Sequence, residues 1–172
     1  QGVGTFVAEP KGQSALFEIR SIADEINARQ HQHRCEVLPL EKTQANAQQA
    51  LVLNVKEGTS IFHSVMVHYE NDLPVQIEDR CVNAEIVPEY LAQDYSQTTP
   101  HAYLSLIAPL TEGEHIVEAV RASAEECALL NIKEHDPCLL IRRKTWSASS
   151  IVSHARLLFP GSRYRLQGRF MS

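Results

Sequence analysis

Two runs of β-branched and aromatic residues, 61–69 and 75–82, stand on either side of Asn71-Asp72. Asn and Asp tolerate the positive φ that a tight hairpin turn demands, so this pattern reads as a β-hairpin. A second pair of such runs, 138–146 and 151–159, flanks Ser147-Ala-Ser-Ser150. Two hairpins commit the chain to a sheet that is largely antiparallel. Further strands are expected over 35–43 and 114–122, with a strand-like tail over 164–170. Between them lie helical signals. Leu16, Ile19, Ile22, Ala23 and Ile26 recur at helical spacing, which predicts an amphipathic helix over 14–30. Shorter helices are expected over 45–55, ended by Glu57-Gly58, over the proline-led stretch 86–95, and over 100–106. Ser123-Ala-Glu-Glu126 is a capping-box pattern that starts one more. The fold class is therefore α+β, a mostly antiparallel sheet with flanking helices.

At 172 residues the chain is one domain, with residues 1–12 reading as a strand end and linker. Its net charge is −5, the wrong sign for a domain that grips nucleic acid by its phosphates. No run approaches the ~18 apolar residues of a membrane span. There is no signal peptide, and the first residue is Gln rather than Met, which reads as a piece of a longer protein. Cys35, Cys81, Cys127 and Cys138 are far apart with no C-x-x-C pair, so reduced thiols in a cytoplasmic protein are expected.

Chemical motifs are sparse. His31-Gln-His33-Arg-Cys35 holds metal-ligand residue types but lacks a second cluster, and reads as a solvated loop. Glu112-Gly-Glu114-His115 lacks metalloprotease spacing, and there is no G-x-S-x-G, Walker or G-x-G-x-x-G string. No metal and no cofactor are expected. The central hairpin is the exception. His63, His68, Glu70, Gln76, Glu78, Asp79 and Arg80 are many polar side chains for two strands that otherwise look like core. Gln76, Glu78 and Arg80 share one face of the second strand, and a turn with an odd residue count would put Met66 and His68 on that face too. Two readings fit: a wet strand surface laced with cross-strand ion pairs, or a partly buried small-molecule pocket.

Several strings are more specific than their composition. Gly2-Val-Gly4-Thr5-Phe6-Val7 resembles the end of the winged-helix DNA-binding domain of GntR-type bacterial repressors. The remainder resembles the effector domain of their HutC subfamily, the UTRA domain. The strings that carry this are Ile61-Phe-His-Ser64, Glu70 to Arg80, Thr99-Pro-His-Ala-Tyr-Leu104, Pro109 to Ala119, Pro137 to Arg143 and Pro160-Gly-Ser-Arg-Tyr-Arg165. The resemblance implies a wing remnant and linker over 1–12 and a chorismate-lyase-like effector domain over 13–172. It further implies a homodimeric sensor rather than an enzyme, bound to operator DNA only through a winged-helix domain missing here, and not to membranes. HutC-type regulators repress histidine-breakdown genes and respond to urocanate, a planar imidazole joined to an acrylate anion.

The resemblance also nominates effector-binding residues. In related sugar-phosphate sensors, arginines stand on the first strand of the hairpin and a glutamate on the second. Met66 and His68 occupy the arginine positions here, and Glu78 matches the glutamate, with Arg80 beside it. His101 and Tyr103 match a serine-x-tyrosine motif of relatives, and Tyr164 a late tyrosine. Arg20 and Ser21 lie where relatives face the ligand, and Arg142 is a second candidate clamp for the carboxylate. Because the fold is shared, an enzyme of the chorismate-lyase type acting on a small aromatic carboxylate is the alternative. All four cysteines are expected to alkylate under denaturing conditions without reductant, and metal analysis to find no stoichiometric zinc. Fewer than four added groups in the intact mass would overturn the thiol assignment.

Overall fold

The computed structural model describes residues 11–15 and 18–168. Of the expected wing remnant, residues 1–10 lie outside the described residues. Six strands form one antiparallel sheet: β2 (His33–Gln44), β3 (Ser60–Glu70), β4 (Leu73–Asn83), β5 (Glu112–Arg121), β6 (Pro137–Ser147) and β7 (Ser150–Pro160). Their spatial order is β2-β3-β4-β7-β6-β5. A separate parallel pair joins β1 (Gly12–Ala15) to β8 (Tyr164–Gln167).

The central hairpin turns through Asn71 and Asp72, at φ 47° and 65°. Two successive positive φ values match the twist of the flanking strands. The turn thus has an even count, and the odd residue comes from a bulge. Tyr69 pairs with Pro74 but His68 pairs with Gln76, leaving Val75 as the extra residue. The register beyond it sets Met66 opposite Glu78 and Ser64 opposite Arg80. Without the bulge, Met66 would face Ile77 and the polar side chains of β4 would turn to the other face.

Four short α-helices cover the sheet. α1 (Ile22–Ala28) and the β1–β8 pair cover one end of the first face, where Ile22, Ile26, Ile141, Leu157, Phe159 and Tyr164 pack together. α3 (Pro100–Ile107) and a 3-10 turn (Tyr90–Ala92) cover its other end, over Phe62, Met66 and Val82. The second face carries α2 (Ala47–Leu53), which seats Ala50 and Leu53 on Ile61 and Cys81. It also carries α4 (Ala124–Leu130), where Leu130 joins Val67, Ile77, Leu140 and Leu158. The Ser123 hydroxyl and the Glu126 carboxylate form the expected capping box at α4. Asn46 and Gln49 form another at α2, which ends on Asn54 at φ 52°, ahead of Glu57-Gly58. All four cysteines are buried and none is in a disulfide.

Two expected helices differ. The helix over 14–30 shrinks to 22–28, because residues 12–15 give their backbone groups to β8, far away in sequence. The helix over 86–95 shrinks to the single 3-10 turn. Tyr90 and Tyr95 are both buried in one cluster, and the Tyr95 hydroxyl donates to the Tyr90 carbonyl at 2.9 Å. A spacing of five residues would put them about 140° apart on an α-helix.

The hairpin turn is directly testable. Asp72 holds a left-handed conformation and, among the described residues, its side chain makes an exposed 3.4 Å contact with Arg34. Asp72→Gly removes the Cβ strain, about 1 kcal/mol, and forfeits an ion pair that contributes less. The urea midpoint should therefore rise, whereas Asp72→Val, β-branched at positive φ, should lower it.

Candidate functional site

Strand alternation places a stripe of polar side chains on the first face, between its two apolar ends. His33, His68, Gln76, Glu78, Arg80, Ser153, Thr145 and Arg143 make it up, drawn from five strands. All but His33 are buried. An isolated ion taken out of water costs several kcal/mol even after relaxation, so such a stripe survives only as a network.

Arg80 is the hub. Its Nε donates to Glu78 Oε1 at 2.7 Å and its Nη1 to Ser153 Oγ at 2.7 Å, which in turn lies 2.9 Å from Thr145 Oγ1. The other Glu78 oxygen is 3.5 Å from His68 Nε2, and His68 Nδ1 is 3.0 Å from His33 Nε2. Burial alone would raise the Glu78 pKa, but Arg80 and His68 outweigh it and hold the carboxyl well below the usual carboxylate range. Arg143 donates from Nε to His115 Nε2 at 2.8 Å. Burial, with repulsion from Arg80, brings the Arg143 pKa down to about 10, still a cation at neutral pH. Burial followed by His68 lowers His33 to about 4, and burial followed by Arg80 and Arg143 lowers His101 to about 4.

A cleft opens on this stripe beneath α1. Glu78, Gln76, Arg143, Thr99 and His101 form its polar floor and sides, Ile22, Leu157, Phe159 and Tyr164 its apolar wall, and Arg20 and Glu25 its rim. Tyr164 stacks on Phe159 with ring centroids 3.8 Å apart. The cleft encloses about 20 Å³, room for roughly one water. A smaller slot shares His101 and reaches Arg80, Thr145 and Trp146. Two features are unusual for a finished core. Gln76 Oε1 and Arg80 Nη2 are buried with no hydrogen-bond partner among the described residues. And the buried side chains include two guanidiniums but one carboxylate.

Of the residues singled out in the sequence, Glu78, Arg20, His101 and Tyr164 line the cleft. Ser21 lies buried at its edge, its hydroxyl 2.9 Å from that of Thr99. Arg80 and His68 support Glu78 from behind. Met66 does not reach the cleft: it is fully buried in the apolar cluster, and Tyr103 packs at the edge of that cluster near Tyr90. Arg142 is a correction. It projects from the second face onto Glu118 at 2.7 Å, and alternation along β6 gives the cleft its neighbour Arg143 instead. The expected solvated loop over 31–35 is also revised. His33 and Cys35 belong to β2, and His31 Nδ1 lies 2.6 Å from Glu70. Arg143, Thr99, Phe159 and Glu25 were not anticipated, and among the hairpin's polar residues Gln76 had not been assigned to a site. Their only sequence signal is alternation, which cannot say which face is roofed.

Residues 28–165 match the profile of the UTRA domain. The chain is 80% identical over all its 172 residues to the histidine utilization repressor of Klebsiella aerogenes, covering 71% of that protein. It is 62% identical over 170 residues to the repressor of the same name from Pseudomonas putida, covering 68% of it. Among solved structures, the C-terminal domain of the histidine utilization repressor from Pseudomonas syringae pv. tomato superimposes with a TM-score of 0.79 at 57% identity, over 82% of this chain and all of that one. The effector domain of PhnF from Mycobacterium smegmatis superimposes at 0.85 over 93% of this chain and 99% of that one, at 17% identity, a likeness of fold alone.

The lowered histidines make stability pH-dependent. His33 and His101 titrate near 4 when folded and near 6.5 when unfolded, so the unfolded chain binds more protons between those values. Their contribution is complete above pH 6.5 and is lost as pH falls toward 4. Glu78 stays ionised in the folded chain across that window, and its unfolded carboxyl, near 4.5, adds slope of the same sign at the acid end. Urea midpoints should therefore fall steadily from pH 7 to pH 4.5. A flat profile would contradict the neutral state of these partly buried rings.

Proposed function

The chain belongs to the UTRA-domain family, on the branch of the histidine utilisation repressors, and from that premise we propose that it is the domain through which urocanate is sensed. The observation that carries the reading is the buried stripe, with one more guanidinium than carboxylate and an unpaired amide oxygen beside the carboxylate. A small anion with an N–H group corrects both defects at once. Urocanate's carboxylate pairs with Arg143, while Arg20 at the rim, bound to Glu18 at 2.6 Å, would have to exchange that partner to join it. Its ring N–H is received by Glu78, with the Gln76 amide oxygen beside it. Leu157, Phe159 and Tyr164 supply an apolar wall for the plane.

The cleft is too small for the whole effector in the described arrangement, so binding requires α1 and the Arg20-Ser21 segment to move outward. That movement is how binding becomes a signal. An effector that binds the open arrangement more tightly shifts the population of a homodimer away from the one that fits operator DNA. Operator contact belongs to a winged-helix domain and not to these acidic 172 residues. Among the described residues no helix is long and apolar enough to cross a membrane. The repressor names of the relatives favour a regulator over an enzyme of the chorismate-lyase type.

Calorimetry with urocanate, histidine and imidazole propionate tests the reading, with urocanate expected to bind tightest. Arg143→Gln should weaken urocanate by roughly tenfold or more, since a hydrogen bond to a charged group contributes ~1.5–3 kcal/mol and 1.4 kcal/mol is tenfold. It also relieves repulsion on Arg80, so thermal stability should hold or rise. Glu85→Gln, exposed just beyond β4, should change neither. Unaltered urocanate binding in Arg143→Gln would place the carboxylate elsewhere.

A further inference from the structure

We infer that His33, on the edge strand β2 and outside the cleft, is a positioning residue that acts through His68 to fix Glu78 as a hydrogen-bond acceptor, and so determines which effectors the site takes. The inference rests on the reading that Glu78 receives the effector's ring N–H. Its observations lie in the buried chain of contacts behind that carboxylate.

An ionised carboxylate can only accept. Arg80 Nε donates to Glu78 Oε1 at 2.7 Å. His68 Nε2 is 3.5 Å from Oε2 and, fully buried, has no shorter partner among the described residues. A ring nitrogen facing an anion at that distance must carry the proton, because a lone pair there would repel it. In a neutral imidazole the other nitrogen, Nδ1, is then an acceptor. It lies 3.0 Å from His33 Nε2, so His33 donates and His68 receives. The order inferred is His33 donating to His68, whose Nε2 faces Glu78 at 3.5 Å. His33 is half-buried, and burial keeps it neutral at neutral pH, with one ring proton to place. The two rings also stack, centroids 5.3 Å apart, which limits rotation of His68.

The consequence is selectivity. On the protein side Arg80 donates to one Glu78 oxygen, and His68 Nε2 faces the other at 3.5 Å. The lone pairs left for the cleft are those of a fixed anion. A ligand that offers an N–H is received, and one of the same shape with only acceptors leaves the buried carboxylate unpaired. Without the His33 donor, His68 loses the partner of its Nδ1, its ring is free to turn, and its proton is no longer held at Nε2.

The test compares urocanate with furylacrylate, a planar anion of similar size whose ring has no N–H, on the wild-type chain, His33→Leu, His33→Asn and His33→Gln. His33→Leu should lower the urocanate-to-furylacrylate affinity ratio by roughly tenfold, the worth of one such hydrogen bond. His33→Asn, too short to reach, should do the same, and serves if the leucine variant does not fold. His33→Gln, whose amide can donate, should restore the ratio. A merely structural role would weaken both ligands equally. Nitrogen-15 NMR of the ligand-free chain reads the relay without any effector. His68 should be protonated at Nε2 in the wild type and should become a tautomer mixture in His33→Leu. If the wild type binds neither ligand, the urocanate reading fails, and this NMR comparison still decides the relay. An unchanged affinity ratio, or wild-type His68 protonated at Nδ1, overturns it.

Discussion

Glu78 and Arg80 meet at 2.7 Å in the middle of the sheet, each almost wholly shielded from water. Neither could be there alone, because a buried ion without a partner costs several kcal/mol. Pairing is not sufficient either, since a carboxylate and a guanidinium present more donors and acceptors than they use on each other. Ser153, Thr145, His68 and His33 take up most of the remainder. Replacing such a network by well-packed apolar residues is often neutral or stabilising. Its presence in this core is therefore poorly explained by stability alone, and the proposed effector site would account for it.

The network divides the first face into two apolar clusters that do not merge. One is built on Met66, Tyr90, Tyr95 and Leu104, the other on Ile26, Leu157, Phe159 and Tyr164. The roof over the second is thin. α1 has seven residues, of which Ile22 and Ile26 are buried, and its N-cap residue Ser21 makes no side-chain cap bond. Helices this short are marginal without tertiary packing. A roof with two anchors over a polar floor is the element of this fold best suited to yield when an effector enters.

The floor, in contrast, is tied firmly. The bulge at Val75 aims Gln76 and Glu78 at the cleft and sets Arg80 behind Glu78. Next to it the Pro74 carbonyl accepts from Arg163 Nη1 at 2.6 Å. The same nitrogen donates to the Leu130 carbonyl and Nη2 to that of Asn131. One guanidinium thus joins the start of β4 to the end of α4 and to the turn before β8. Register, and through it the face on which the charges stand, is held by a contact 89 residues away in sequence.

Both hairpins, the capping box at Ser123 and the antiparallel sheet were legible in the sequence, because turn chemistry, capping and alternation act between residues close in the chain. The face shared by Gln76, Glu78 and Arg80 was legible for the same reason. Other features were settled only by the tertiary structure. Residues 14 and 15 looked helical and became part of a strand because β8, at the far end of the chain, pairs with them. Arg142 and Arg143 are adjacent and chemically identical, and only the order of strands around β6 turns the second of them into the cleft. The polar stripe fitted a wet surface as well as a pocket, since alternation is the same in both. Whether it is buried depends on α1 and α3 being laid across it, a long-range packing event with no local signature.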